Sequence, residues 1–391
     1  MVIGQYIDCY YPVLDGVVTT VRNYAYWLNE RHCRCFVATP DTPKFIYDPA
    51  FPVLRFRSVP VPGRHPYRTG IPRLDGRFRA LQSRQAADLV HAHSPFSAGR
   101  EALRLARRRG IPAVATFHSK YYDDFLQATK SEFIAKQMLG SVVRFYQSAD
   151  AVWTVNDGTA RTLRDYGYRG EIEIMQNGVD FSAFPESDAS ARERFRERFA
   201  LPGDVPIFLF VGQQIWQKNL KTLLEATALY KKAGAAFRLL IIGTGSAAAD
   251  IRRLADDLGL RDTVVFTGPI PDRALLAQAY RSASLFLFPS EYDNAPVVTR
   301  EAAFFGVPPV LIKGANAAEG VTHGENGYLC ENTPEDFCRQ VREAMADDAA
   351  RRLVGERARQ TLPVSWESIV ARVYERYQAI IAAHRSRGAR G

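Results

Sequence analysis

The residues able to do chemistry gather in a few short segments of this chain. The densest is Phe288-Pro-Ser-Glu-Tyr-Asp-Asn-Ala-Pro-Val-Val-Thr-Arg-Glu301. An apolar run ends at Phe288, and Pro296 suits the first turn of a helix. On that reading the amides of Ala295, Val297 and Val298 stand at a helix N-terminus. Unpaired N–H groups and the positive end of the helix dipole favour an anion there. Asp293 and Glu301 are eight residues apart, about 80° off a common face if both are helical. They converge on one ligand only if Asp293 lies in the loop and Glu301 one turn into the helix. A plainer reading makes Asp293 or Asn294 the N-cap and Glu301 a solvated helix residue.

Lys218 ends a second such segment, Val211-Gly-Gln-Gln-Ile-Trp-Gln-Lys218. A compact charge on a long stem suits a phosphate, although a lysine before a helix is often only solvated. His118 ends the apolar run Ala113-Val-Ala-Thr-Phe-His118. His91 and His93 end the preceding run and alternate, so both point to one face. His93 is a candidate for an acceptor side and His91 reads as structural. Lys120 and Tyr121 add polar groups beside His118. There is no Asp-x-Asp and no plausible zinc or magnesium ligand set, and the five cysteines are too sparse for a zinc site. No metal or cofactor is expected, and the thiols read as reduced and cytoplasmic.

These segments need strands that end where ligands bind. Short apolar runs at 1–7, 34–39, 89–93, 113–117 and 151–155 alternate with helical patterns at 17–30, 96–109, 131–146 and 159–166. The alternation restarts at 207–211 and continues to a last helix at 365–383. The expected class is therefore α/β: two doubly wound parallel sheets. The expected domains are 1–184, a connection at 185–206, 207–363, and a C-terminal helix with a basic tail at 364–391. In such folds ligands meet the carboxyl ends of the strands.

The chain has 391 residues and a formal charge of +9, unevenly placed. Between Arg55 and Arg109 stand 13 Arg, no Lys and three acids. Five prolines in 52–73 favour an extended surface loop. Leu74, Phe78 and Leu81 then fall at i, i+4 and i+7, bordered by Arg77 and Arg84. A basic amphipathic helix of that kind reads as binding an anionic membrane surface. Nucleic acid ranks lower, because no nucleic-acid-binding motif accompanies the arginines. The chain lacks a 20-residue apolar stretch, so any membrane contact is peripheral, on the inner face.

The Phe288–Glu301 cluster resembles the signature of family 4 of the retaining glycosyltransferases, which have the GT-B fold of two facing Rossmann-like domains. Glu301 matches the acid that holds the ribose of a nucleotide-sugar, and Asp293 stands where the family has a glutamate on the transferred sugar. Lys218 matches the lysine on the donor phosphates, while Gln213 replaces the arginine that usually accompanies it. Gly16 and the turn Gly243-Thr-Gly245 match positions that approach the donor, and Ile270 closes a segment that meets the nucleobase. Asn294, Ala295, Val297 and Val298 complete the expected donor site. His118 matches the histidine beside the reacting carbon; His93, Lys120 and Tyr121 fall on the acceptor side. The resemblance implies metal-independent, retaining transfer of a hexose from a nucleotide-sugar, UDP-sugar favoured, to a hydroxyl acceptor. The basic N-terminal half looks similar to lipid-modifying members, which points to a glycolipid or lipid-linked sugar. Two other readings stay open: a non-catalytic nucleotide-sugar sensor, and a membrane- or polyanion-binding protein.

Overall fold

A computed structural model describes residues 1–13, 15–43, 50–62, 67–179, 189–202 and 205–388. The chain divides into two compact units, Met1–Gly178 with Ser365–Gly391, and Val179–Val364. The first unit runs β1 (Val2–Tyr6), α1 (Gly16–Arg31), β2 (Arg34–Pro40), β3 (Val53–Phe56), β4 (Ser58–Pro60), β5 (Arg68–Gly70), α2 (Gly76–Arg84), β6 (Leu89–Ala92), α3 (Ser97–Arg109), β7 (Ala113–Phe117), α4 (Tyr121–Thr129), α5 (Glu132–Gln147), β8 (Ala151–Thr154), α6 (Asp157–Asp165) and β9 (Glu173–Ile174). Its sheet has the order β3-β2-β1-β6-β7-β8-β9, with every pair parallel. The order reverses between β1 and β6, where a doubly wound sheet opens its ligand crevice.

The second unit runs α7 (Ala189–Arg198), β10 (Ile207–Val211), α8 (Leu220–Lys232), β11 (Arg238–Ile242), α9 (Ala248–Asp257), β12 (Val264–Gly268), α10 (Arg273–Ser282), β13 (Leu285–Phe288), α11 (Val297–Phe304), β14 (Pro309–Ile312), β15 (Tyr328–Cys330), α12 (Pro334–Ala346) and α13 (Asp348–Thr361). Its order, β12-β11-β10-β13-β14-β15, is again all parallel and reverses between β10 and β13. The central strands are buried end to end, as expected where helices cover both faces of a parallel sheet.

The last helix, α14 (Trp366–Gly388), belongs to the first unit. His32 stacks on Tyr374 at 4.7 Å, Arg376 grips Glu173 with two bonds of 2.6 and 2.8 Å, and His384 meets the Gly110 carbonyl. Its contacts thus run from α1 across the sheet to β9 and the turn after α3.

Several expectations are corrected. The segment 52–73 is not merely a surface loop: Val53–Phe56 extends the sheet next to β2, and β4 pairs antiparallel with β5. Arg68 ties that hairpin down, donating to the Asp41 carbonyl, the Ser58 hydroxyl and the Ser58 carbonyl, each at 2.8 Å. The stripe read as membrane-facing turns inward instead. Asp75 caps α2 through the Phe78 amide and also accepts from the Arg57 amide, so Phe78 is fully buried edge-on against Phe56. Leu81 is half-buried on the same core, and Leu74 stands outside the helix, 74% exposed. Part of the expected connection, 185–206, belongs to the second unit, because Phe195 of α7 and Leu201 enter that unit's core. Helices α4 and α13 were not anticipated.

Candidate functional site

In the second unit the chemistry sits at the carboxyl ends of the neighbouring strands β10 and β13. After Val211 the chain makes a short 3-10 turn, Trp216–Lys218, and Asn219 opens α8 in the left-handed region at φ 57°. The Asn219 amide nitrogen donates to the Pro289 carbonyl at 3.3 Å and to Asn332 at 2.7 Å, and its oxygen accepts from Thr222. This anchor ties the loop after β10 to the loop after β13. Lys218 consequently forms an ion pair with Asp293, its ammonium 5.4 Å from the centroid of the Phe288 ring. The second carboxylate oxygen of Asp293 accepts from the Ser290 hydroxyl at 2.5 Å. Both side chains are largely covered but keep some exposure, 13% for Lys218 and 17% for Asp293.

Glu301 is held differently. It is buried, the fifth residue of α11, and accepts from the Tyr280 hydroxyl at 2.8 Å and from the Arg273 guanidinium at 3.4 Å. Those two residues are two turns apart on α10 and so share a face. Burial pushes the Glu301 carboxyl above its usual range, against the lowering pull of Arg273 and Tyr280. Two of its roughly four acceptor positions are used in this way. Pro296 is the N-cap residue of α11, with no side-chain cap. Asp293 and Asn294 therefore do not cap the helix, and Glu301 is not solvated. The amides of Val297 and Val298 are in the first turn, where no carbonyl of the helix can reach them.

The two glycines of the turn after β11 have a conformational reason. Gly243 lies at φ 129°, and a Cβ there would stand 2.0 Å from the Gly212 carbonyl oxygen; one on Gly245 would stand 2.4 Å from that of Gln214. They let the turn press against the loop that carries Lys218. Gln214 reinforces this contact by donating to the Gly243 carbonyl at 2.7 Å.

The first unit carries a neutral site. Register pairs Gln5 with His91, His91 with Val114, and Thr116 with Trp153. Because side chains alternate along a strand, Gln5, His91, His93, Thr116, His118 and Trp153 all fall on one face of the sheet. Tyr24 of α1 and Tyr377 of α14 pack on that face. His91 bonds Thr116 at 2.7 Å and Tyr377 at 2.6 Å; Gln5 bonds Tyr377 at 3.2 Å and His93 at 2.7 Å; His93 bonds His118 at 3.1 Å. All three imidazoles are buried. Burial drives His118 down to about 3 and places His91 and His93 well below the usual histidine value.

Two family models match in tandem: Glycosyltransferase Family 4 over residues 14–183 and Glycosyl transferases group 1 over residues 191–361. The chain belongs to glycosyltransferase family 4. It is 25% identical over 320 residues to the alpha-monoglucosyldiacylglycerol synthase of Streptococcus pneumoniae, covering 79% of this chain and 70% of that protein. Sucrose-phosphate synthase from Thermosynechococcus elongatus superposes with a TM-score of 0.81 at 22% identity, over 98% of this chain and 99% of that one. The Anabaena HepE structure with UDP and glucose superposes at 0.75 and 17% identity, over 96% and 99%. The glycosyltransferase thus has the GT-B fold.

The residues singled out from the enzyme's sequence fall into three groups. Lys218 and Asp293 are brought together. Gln213 is exposed on the same loop, Ile270 is half-buried just after β12, and Gly16 opens α1 behind its Asp15 cap with free space where a Cβ would stand. Two acceptor-side assignments are corrected. His93 has both ring nitrogens engaged inside the unit, one on His118 and one on Gln5. Tyr121 lies in the core against Phe117 and Phe125, its phenol bonded to Tyr146. Lys120 precedes α4 and is half-buried.

The sequence reading missed Ser290, Arg273, Tyr280, Asn219, Gln5 and Tyr377. Gln5 carried a usable signal, being a polar residue inside the apolar strand Val2–Tyr6. The others gain their meaning only from partners 3 to 372 residues away.

Proposed function

We propose that this glycosyltransferase moves a hexose from a nucleotide-sugar, with UDP-sugar favoured, to a hydroxyl acceptor, with retention and without a metal. The observation that carries the reading is the Lys218–Asp293 pair at the sheet's reversal point in the same unit as the buried Glu301. The donor diphosphate takes Lys218 and the first-turn amides of α11, Glu301 takes the ribose, and Asp293 released from Lys218 takes a sugar hydroxyl. Charge on the departing nucleotide is then met by an ammonium and backbone dipoles. His118 is assigned to the transferred sugar. The HepE neighbour with UDP and glucose makes UDP-glucose the first donor to test.

A glycolipid or lipid-linked sugar is the acceptor class favoured by the likeness to a diacylglycerol-modifying relative. Peripheral attachment to an anionic membrane fits the exposed Ile71 and Leu74 beside Arg73, Arg77 and Arg84. Among the described residues no helix is long and apolar enough to cross a membrane. The deciding experiment is transfer from radiolabelled UDP-glucose to extracted lipids with and without EDTA, with product anomer read by NMR. Binding of UDP-glucose with neither transfer nor slow hydrolysis would sink the catalytic reading. An EDTA-sensitive rate or an inverted anomer would sink those parts of it.

A further inference from the structure

On the reading that puts Lys218 on the donor phosphates, we infer that Asn219 is a positioning residue for donor binding. Its carboxamide clamps the loop of Lys218 against the loop of Asp293 and so sets where the ammonium stands, although it bonds neither charge. The contacts form a closed circuit. Lys218 is joined to Asn219 by the peptide bond, and the Asn219 amide nitrogen donates to the Pro289 carbonyl at 3.3 Å. Ser290 follows, its hydroxyl donates to Asp293 at 2.5 Å, and Asp293 returns to Lys218 through the ion pair. Ser290 is fully buried, which fixes that side of the circuit in the unit. On the other side Leu220, also fully buried, starts α8 immediately after Asn219.

The neighbours of the carboxamide settle which way it points. A peptide carbonyl can only accept, so the nitrogen of Asn219 and not its oxygen faces Pro289. The second N–H goes to the Asn332 side-chain oxygen at 2.7 Å, and the Asn219 oxygen is left to the Thr222 hydroxyl at 2.8 Å. Asn332 in turn donates to Glu291 of the β13 loop. One side chain thus joins the start of α8, the loop after β13 and the loop after β15. The backbone sets a separate condition. At φ 57° and ψ 34° Asn219 is left-handed, and its N–H closes the 3-10 turn on the Trp216 carbonyl at 2.9 Å. Asparagine takes this conformation more readily than most residues with a Cβ. Glycine would meet the backbone condition equally well, so the carboxamide serves the tie between loops. A lysine stem is long and flexible, and fixing its base lowers the entropy lost when a phosphate takes the ammonium.

The test is calorimetry of UDP with the full chain as wild type, Asn219→Gly, Lys218→Ala and the double variant. Glycine keeps the left-handed turn without strain and removes only the carboxamide. Asn219→Gly is expected to weaken UDP about five- to tenfold, the loss of one to two hydrogen bonds. Inhibition by uridine, which has no phosphate, should stay as in wild type. In the Lys218→Ala background the same substitution should change UDP affinity by less than about twofold, because residues that act through one group are not additive. Asn332→Ala, at an exposed residue, removes one of the two bonds of the Asn219 nitrogen. It should weaken UDP about two- to threefold, again only where Lys218 is present. UDP affinity not weakened in Asn219→Gly and Asn332→Ala, or a loss of the same size with and without Lys218, would overturn the inference. UDP affinity unchanged by Lys218→Ala alone would instead overturn the placing of Lys218 on the phosphates.

Discussion

The two units share the order of their first six strands, with β9 added as a seventh in the first, and carry polar residues toward the carboxyl ends of the central strands, yet they solve opposite electrostatic problems. In the second unit the strand-end pair is charged and keeps some exposure, Lys218 facing Asp293, while the buried Glu301 of α11 has Arg273 and Tyr280 against it. In the first unit Gln5, Thr116, Tyr377 and three histidines make an unbroken row of neutral groups under two helices. The difference follows from burial. A charge can be kept where it retains a partner and some water, whereas a fully covered imidazole is cheaper to hold neutral with both nitrogens bonded. A site that must exchange its counter-charge for a phosphate needs the first arrangement. A site that only orients hydroxyls works with the second.

The comparison breaks most visibly at Lys218. Lys218→Ala is expected to lower kcat/KM for a UDP-sugar by about 10²- to 10³-fold, the scale of losing one preorganised group on a developing charge. Steady-state transfer or donor hydrolysis measures it, and a loss below about fivefold would mean that the phosphates bind elsewhere.

Glu301→Gln separates stability from binding within the second unit. Its carboxyl is raised by burial, so its contribution to stability is greatest below the ordinary carboxylate value and shrinks as pH rises through the raised one. At pH 7 the amide is therefore expected to leave the unit as stable or more so in urea melts, while UDP-glucose binding by calorimetry weakens about tenfold or more. Destabilisation together with unchanged binding would reverse that assignment.

Acid should act on the first unit in the opposite sense. Histidines lowered by burial contribute stability above their unfolded value of about 6.5, and that contribution is lost as pH falls toward the folded value, about 3 for His118. For His118 the cost is expected to be about 1.4 kcal/mol per pH unit over that interval, and His91 and His93, also lowered by burial, act in the same direction. Urea midpoints at pH 7, 6 and 5 test this, and His91→Gln should flatten the slope. A slope unchanged by that variant would show that the row is not held neutral.

The smallest effect concerns the surface of the first unit. Leu74→Ser with Ile71→Ser is expected to leave the melting temperature within a degree or two, since both side chains are exposed. It should lower sedimentation with anionic phosphatidylglycerol vesicles by about two- to fivefold, the effect of withdrawing two apolar side chains from the interface. Equal sedimentation would end the case for this face as the membrane contact.

Much was legible without coordinates where a residue's role depends on its near neighbours in sequence. The strand and helix alternation follows from local apolar periodicity, and the run expected at 113–117 is the strand β7 found, Ala113–Phe117. Two histidines spaced i, i+2 had to share a sheet face, and they do, with ring centroids 4.1 Å apart. The Phe78 stripe shows where such reasoning fails. Periodicity establishes that a helix has an apolar side, but whether that side meets a membrane or Phe56 depends on a strand 22 residues earlier in the chain.

What the sequence determined by itself was the set of groups and the order along the chain of the strands that carry them: Lys218, Asp293 and Glu301 after the strands of one sheet, and His91, His93 and His118 at or just past the ends of those of another. The tertiary structure decided their chemical state. Asp293 became a partner of Lys218 through the Asn219 anchor between two loops, and Glu301 became a buried acceptor because α10 turned Arg273 and Tyr280 toward it. The histidines became buried and neutral, with His91 bonded to Tyr377 of α14, a helix that returns from the far end of the chain. Protonation and pairing follow from burial and from the partners within about 3 Å, and those partners are set by packing across long stretches of sequence.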